Sequence, residues 1–272
     1  MSIELGLIGV IADKEFWDRI RNRWVLAVAT VFAVFALAIA YLGPAQQGAV
    51  GFGGIDVTIA SLVRLVIYLV PLIALILGYD AIVGERDKGS LELLLSMPIT
   101  RLELILGKFC GLALAMAFST LAGFGLAGVI LSHQIGLTAL YQYVGFLLSA
   151  LLMGWAFLSM AVMVSVMARD RIRASGIAIA LWFFYVLVYD LLLLGLLVAT
   201  DGRFKVEVLA VLLMLNPADI FRILNIFGLE DVRRLYGLAT VFPDALTNPW
   251  LMVTAMLLWI VAPLGLAIWR FR

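Results

Sequence analysis

Eight ionisable side chains crowd into residues 84–108, GERDKGSLELLLSMPITRLELILGK: the acids Glu85, Asp87, Glu92 and Glu103 and the bases Arg86, Lys88, Arg101 and Lys108. Such a set could pair internally, meet a partner's charges or bind phosphate. A phosphate-cradling G-x-x-x-x-G-K-[ST] loop is excluded, because Phe109 follows Gly107 and Lys108, and Leu102 stands where the first glycine belongs. This chain therefore cannot hydrolyse ATP alone. No H-E-x-x-H or comparable catalytic cluster occurs, which argues against an enzyme, and no cofactor is expected in the chain itself.

Sulfur offers a second chemistry. Met153, Met160, Met163 and Met167 recur along one helical face, and thioethers favour Cu(I). Flexible methionines are also ordinary packing, and the single cysteine, Cys110, and single histidine, His133, are far from them in sequence; packing is the expected role and no metal site is predicted. One cysteine excludes internal disulfides and thiolate clusters.

Arg64 and Asp190 are the third group, because charges inside apolar stretches are costly and call for partners. They are expected about 8 and about 13 Å in from the outer ends of their helices at 1.5 Å per residue. The two could form a buried pair, a latch near an outer gate; equally, Arg64 could snorkel to the headgroups. Asp80 is expected to face inner-side bases such as Arg86.

These groups must be held by membrane-spanning helices. With 65% hydrophobic and 14% charged residues, the chain of 272 has too little polar surface to cover a water-soluble globule. A span needs roughly 20 apolar residues to cross about 30 Å of hydrocarbon. Six stretches qualify, 24–42, 59–83, 102–131, 139–167, 174–199 and 250–269, so the fold class is all-α, a single polytopic membrane unit over 1–272. A shorter run at 206–215 reads as interfacial or re-entrant. The first residues lack the basic n-region of a cleaved signal peptide, so the first span is expected to direct insertion.

Thirteen of the nineteen bases fall on one side of this arrangement, before the first span, between the second and third, between the fourth and fifth, and after the sixth. The positive-inside rule makes that side cytoplasmic, with both termini there, as in a multi-pass protein of a bacterial inner membrane. The outer side is then dominated by residues 200–248. Within it Asn216, Pro217 and Asp219 form a helix start of N-cap, first-turn proline and first-turn acid, with Arg222 on another face of an amphipathic helix expected along the outer surface.

In the charged insert, Gly84 is expected to close the second span and Ser90 to cap a short helix whose Leu91, Leu94 and Leu95 share one face, stopped by Pro98. Thr100 and Glu103 have capping-box spacing for the start of the third span. Balanced charges around an apolar ridge suit a groove on another protein; a salt-bridged connector packed on its own helices fits the pattern as well. On the third span Gly111, Ala115, Ser119, Gly123 and Ala127 form a small-residue stripe that lets another helix approach, within the subunit or across a dimer.

The run ERDKGSLELLLSMPITRLELILGK resembles the signature of ABC-2-type ABC transporter permeases, where an E-R-E-x-G-T-like start leads to P-x-S/T-R and L-G-K, and DKEFWDRIRNRWVLA at 13–27 resembles their elbow helix. The resemblance implies an elbow over 1–23 and a coupling helix in the cytoplasmic loop 84–101, docked in a cleft of a separate ATPase. The coupling residues implied are Glu85, Arg86, Asp87, Lys88, Ser90, Leu91, Glu92, Leu94, Leu95, Pro98 and Arg101. ATP and Mg belong to that ATPase. Within the family the chain is most similar to the branch serving copper-centre maturation of nitrous oxide reductase. That implies NosF-like ATPase subunits, a second copy of the chain, the lipid bilayer and a periplasmic NosD-like protein as partners, and no nucleic acid. The outer partner surface is then expected at Asn216, Pro217, Asp219 and Arg222. A general exporter of lipid, drug or polysaccharide, or an ATP-independent secondary transporter, are the rival readings.

Overall fold

Long apolar runs satisfy their backbone hydrogen bonds within themselves, and in hydrocarbon only helices or closed barrels can do so. The computed structural model describes residues 4–42, 55–135, 137–200, 206–226 and 248–271, and it is helical almost throughout, with no strand among the described residues. In chain order the helices are α1 (Leu5–Arg21), α2 (Trp24–Leu42), α3 (Ile55–Gly78), α4 (Val83–Asp87), α5 (Ser90–Ser96), α6 (Arg101–Ile135) and α7 (Leu137–Met167). Then come α8 (Arg171–Phe183), a π-helical turn (Phe184–Val188), α9 (Tyr189–Ala199), α10 (Val206–Met214), α11 (Pro217–Ile226) and α12 (Pro249–Arg270).

Among the described residues, five helical stretches are long and apolar enough to cross a membrane: Thr58–Asp87, Arg101–Val129, Tyr141–Met167, Arg171–Ala199 and Pro249–Arg270. Two bent pairs raise the number to as many as seven: α1 with α2, at 65°, and α10 with α11, at 107°. The predicted first span, 24–42, is the helix α2, and the short run at 206–215 turns back sharply into α11. Much of the outer segment 200–248, and residues 43–54 between the first two predicted spans, lie outside the described residues.

Local chemistry sets the helix ends. Thr100 Oγ1 accepts from the Glu103 amide at 3.2 Å while a Glu103 carboxylate oxygen accepts from the Thr100 amide at 2.7 Å, the reciprocal capping box that opens α6. Asn248 accepts from the Trp250 amide at 3.0 Å and Pro249 occupies the first turn of α12. Asn216 likewise accepts from the Ala218 amide at 3.0 Å to start α11. Gly84 does not close the second span: α3 ends at Gly78, and Gly84 lies within α4. A Cβ there would stand 2.5 Å from Asp80 Oδ1 and 2.8 Å from Arg171 Nη2, so close approach is what demands glycine. The left-handed residue of the insert is Gly89, φ 71°, between α4 and α5.

Helix α7 forms the centre, packed by α3, α6, α11 and α12. In lipid such packing rests on close contact and interhelical hydrogen bonds, because the tails are as apolar as leucine. A chain of rings crosses it: Phe32 of α2 stacks on Phe124 of α6 at 4.8 Å, Phe124 meets Phe146 of α7 at 5.8 Å, and Phe146 meets Phe221 of α11 at 6.1 Å. Tyr143 donates to the Phe124 carbonyl at 2.7 Å. The small-residue stripe of α6 faces the chain's own N-terminal helices. A Cβ at Gly111 would meet Ala12 O of α1 at 2.5 Å, and one at Gly123 would meet Phe32 Cβ of α2 at 2.5 Å. Met153 and Met160 are buried in the core and Met163 packs against it, as ordinary helix packing, whereas Met167 at the end of α7 is exposed.

Candidate functional site

The charged insert folds as the two short helices α4 and α5 between α3 and α6, and most of its charges bond inside the chain. Ser165 of α7 accepts from the amides of Ile82 and Val83 at 2.9 and 3.0 Å, pinning the turn before α4. Arg86 donates to the Ala168 carbonyl at 2.7 Å and to that of Val166 at 3.4 Å, a cation at the C-terminus of α7. Asp87 accepts from the Arg171 amide at 3.1 Å. Asp80 pairs with Arg171 at 2.6 Å rather than with Arg86. Together these contacts fasten the connector to the turn between α7 and α8.

The opposite side of the connector is fastened to α1. Lys108 Nζ lies 3.2 Å from Glu15 Oε2 and 3.0 Å from Glu85 Oε1, and the lysine side chain is only 6% exposed. Arg19 holds the other Glu15 oxygen at 3.0 Å. Burial would raise the Glu15 carboxyl, but Lys108 and Arg19 together hold it below its ordinary value. Ser90 donates to the Glu85 carboxylate and, at 3.2 Å, to the Glu85 carbonyl. Ser90 thus ties α5 back to α4 instead of capping it; the N-cap is Gly89, with no side-chain cap. Between α1 and the connector opens a polar cleft of about 270 Å³ lined by Glu15, Asp18, Asp80, Glu85, Lys108 and Arg171 among others.

Arg101 donates to the Phe271 carbonyl at 2.6 Å and stands 5.4 Å from that ring's centroid, which joins the start of α6 to the end of α12. Glu103 accepts from the Glu4 amide at 2.7 Å as well as from Thr100. Of the eight insert charges, Lys88 and Glu92 alone make no such bond among the described residues, and both are exposed.

The apolar residues of α5 divide between two faces, and the expected Leu91–Leu94–Leu95 face packs on the chain's own helices. Leu91 is buried, and Leu94 and Leu95 pack against the core. Leu93 and Met97, one turn apart, are 68% and 53% exposed. The broader Leu91–Leu94–Leu95 face gains more contact on the chain's own helices, which leaves Leu93, Met97 and Pro98, flanked by Lys88 and Glu92, as the outward tip. Its signal in the sequence was a second, narrower apolar face at i, i+4.

In the outer half Arg64 and Asp190 do not meet. Asp190 bonds Arg222 of α11 at 2.8 Å, Arg222 also holds Asp219 at 2.7 Å, and Arg64 is exposed. The expected outer surface is also revised: Asn216, Pro217 and Asp219 are buried, because Ile220, Phe221 and Ile223 draw α11 into the bundle rather than along its surface. Asn216 donates to the Tyr185 carbonyl, inside the π-helical turn, at 2.9 Å. Such turns leave carbonyls in need of partners.

Residues 10–272 match the model of the ABC-2 family of transporter proteins. The chain is 44% identical over 266 residues to a protein of Stutzerimonas stutzeri named a probable ABC transporter permease protein NosY, covering 96% of each chain. It is 42% identical over 274 residues to a protein of the same name from Pseudomonas aeruginosa, covering 98% of each.

Proposed function

The chain belongs to the ABC-2 family of transporter permeases, as a membrane subunit of the NosY type, and from that premise we propose that it receives the work of a separate cytoplasmic ATPase through the α4–α5 connector. The single observation that carries this is the exposed tip of α5. Leu93 and Met97 project from a connector otherwise bonded to α6, α7 and α8, and through Lys108 to α1. An exposed apolar knob on a braced base suits transmission of force, because displacement of the tip moves the base with it.

In this reading six spans cross the inner membrane with both termini inside, since the bases gather at that end. Residues 1–23 form the elbow: Val10 and Trp17 lie exposed on one face of α1, as suits a membrane interface. Residues 84–101 are the coupling loop, and 200–248 face the periplasm. The chain works as a pair with a second copy and with NosF-like ATPase subunits that bind ATP and Mg. By likeness to its NosY relatives it serves copper-centre maturation of nitrous oxide reductase, acting on a periplasmic NosD-like partner. Co-expression with the ATPase tests the core of this. The pair should co-purify and turn over ATP in a way that depends on Leu93 and Met97; a permease that purifies alone refutes the reading.

One observation favours a second reading, export of an apolar molecule. A groove of about 700 Å³ lies at the outer ends of α7 and α12, lined by residues such as Leu148, Leu152, Leu224, Trp250 and Val253 with the Ser149–Asn225 bond among them. Apolar grooves of this size suit small ligands. Stimulation of ATP turnover by an apolar compound, without any periplasmic protein, would select it.

A further inference from the structure

Lys108 stands where three helices converge. Its partners are Glu15 of α1, 93 residues away in sequence, and Glu85 of α4, 23 away, while Lys108 itself belongs to α6. The flexible stem of a lysine normally carries its ammonium to water. Here the ammonium is enclosed between two carboxylates, so drawing α1 or α4 away would strand a buried charge. The ion pairs sit on a close steric contact: a Cβ at Gly107 would meet Ile11 Cβ at 2.6 Å, and one at Gly111 would meet Glu15 Cβ at 2.7 Å. Glu85 passes the linkage on to α5 through Ser90. At its other end α1 turns into α2 through Arg23, a non-glycine residue at φ 57°. That left-handed conformation is disfavoured for any residue carrying a Cβ, so the bend of 65° is held by its surroundings.

We propose that Lys108 is a positioning residue that locks the N-terminal helix to the connector. When the tip of α5 moves, α1 travels with it and delivers part of that movement to α2 through the Arg23 bend. The inference rests on the reading of α5 as the docking point of an ATPase. It adds that the coupling unit includes α1, with the buried lysine as its junction.

The test uses the full permease–ATPase complex in lipid nanodiscs, with hydrogen exchange followed by mass spectrometry without nucleotide and with ATP and vanadate. In the parent complex, peptides covering 5–21 and 90–96 should both change their exchange on nucleotide binding. Lys108→Arg should keep both responses. The neutral variant Glu15→Gln, Glu85→Gln, Lys108→Met removes all three charges and leaves only the partly exposed Arg19 without its carboxylate. In it the 90–96 response should persist and the 5–21 response should be lost. If this variant does not assemble, Lys108→Gln in the Glu15→Gln background serves the same comparison. A 5–21 response that survives in the neutral variant overturns the proposal, as does a parent in which 90–96 responds and 5–21 does not. A parent in which 90–96 itself is silent refutes ATPase docking at α5, and with it this inference, so the two failures are distinguishable.

Discussion

Asp190 and Arg222 form an ion pair at 2.8 Å between α9 and α11, and the same guanidinium holds Asp219 at 2.7 Å. Removing either of two members differs from changing Arg64, which stands outside the cluster. Arg222→Met leaves Asp219, 1% exposed, without its cation and should cost about 3 kcal/mol. Asp190→Asn loses one half-exposed contact and should cost about 1 kcal/mol. Arg64→Gln should change stability by less than about 0.5 kcal/mol. Thermal unfolding in detergent should return that order; an Arg64 variant as damaging as Arg222→Met would refute the pairing.

Leu93 and Leu91 are two residues apart on α5 yet should fail in different ways. Leu93→Asp should leave the melting temperature of the isolated permease unchanged and abolish co-purification of the ATPase. Leu91→Ala should cost about 2–3 kcal/mol of stability, because it empties a buried site. If Leu93→Asp retained the ATPase, docking through this tip would be wrong.

Gly111 and Gly125 separate close approach from helix propensity on α6. A Cβ at Gly111 would stand 2.5 Å from Ala12 O, whereas nothing lies within 4 Å of one at Gly125. Gly111→Ala should therefore cost about 1–3 kcal/mol by displacing α1. Gly125→Ala should be neutral or gain up to about 1 kcal/mol from helix propensity. Accessibility of α1 to protease should rise in the first variant and not in the second.

Glu15 predicts a pH dependence with a definite sign. Its folded carboxyl is held below the ordinary value of 4.5. Its stabilisation of the α1 junction is then complete above 4.5 and is lost as pH falls through the lower folded value. Hydrogen exchange of 5–21 should be slower in the parent than in Glu15→Gln at pH 7, and the difference should shrink below pH 4.5 once intrinsic exchange is corrected for. A gap that widened on acidification would contradict the assignment.

The helices themselves were legible because their determinants are local. Apolar runs, the Thr100–Glu103 capping box and the Asn216–Pro217 start act within a turn or two of the chain, and each appears at the positions expected. The charged insert was also legible as a feature, and the family followed from its motif. Which charge meets which was not. Lys108–Glu15 and Asp190–Arg222 join residues 93 and 32 apart, and Ser165, which holds the Ile82 and Val83 amides across α7, gives no signal in its own sequence.

Sequence alone thus determined that this chain is a bundle of apolar helices with a charged connector, because periodicity, capping and hydropathy are properties of neighbouring residues. Only the tertiary structure decided that Leu93 and Met97 are the outward tip, that α11 tucks its polar start inside, and that α6 sets Gly107, Gly111 and Gly123 against α1 and α2. Those outcomes depend on which helices lie opposite one another, and that competition among faces for contact is settled only when all the helices pack together.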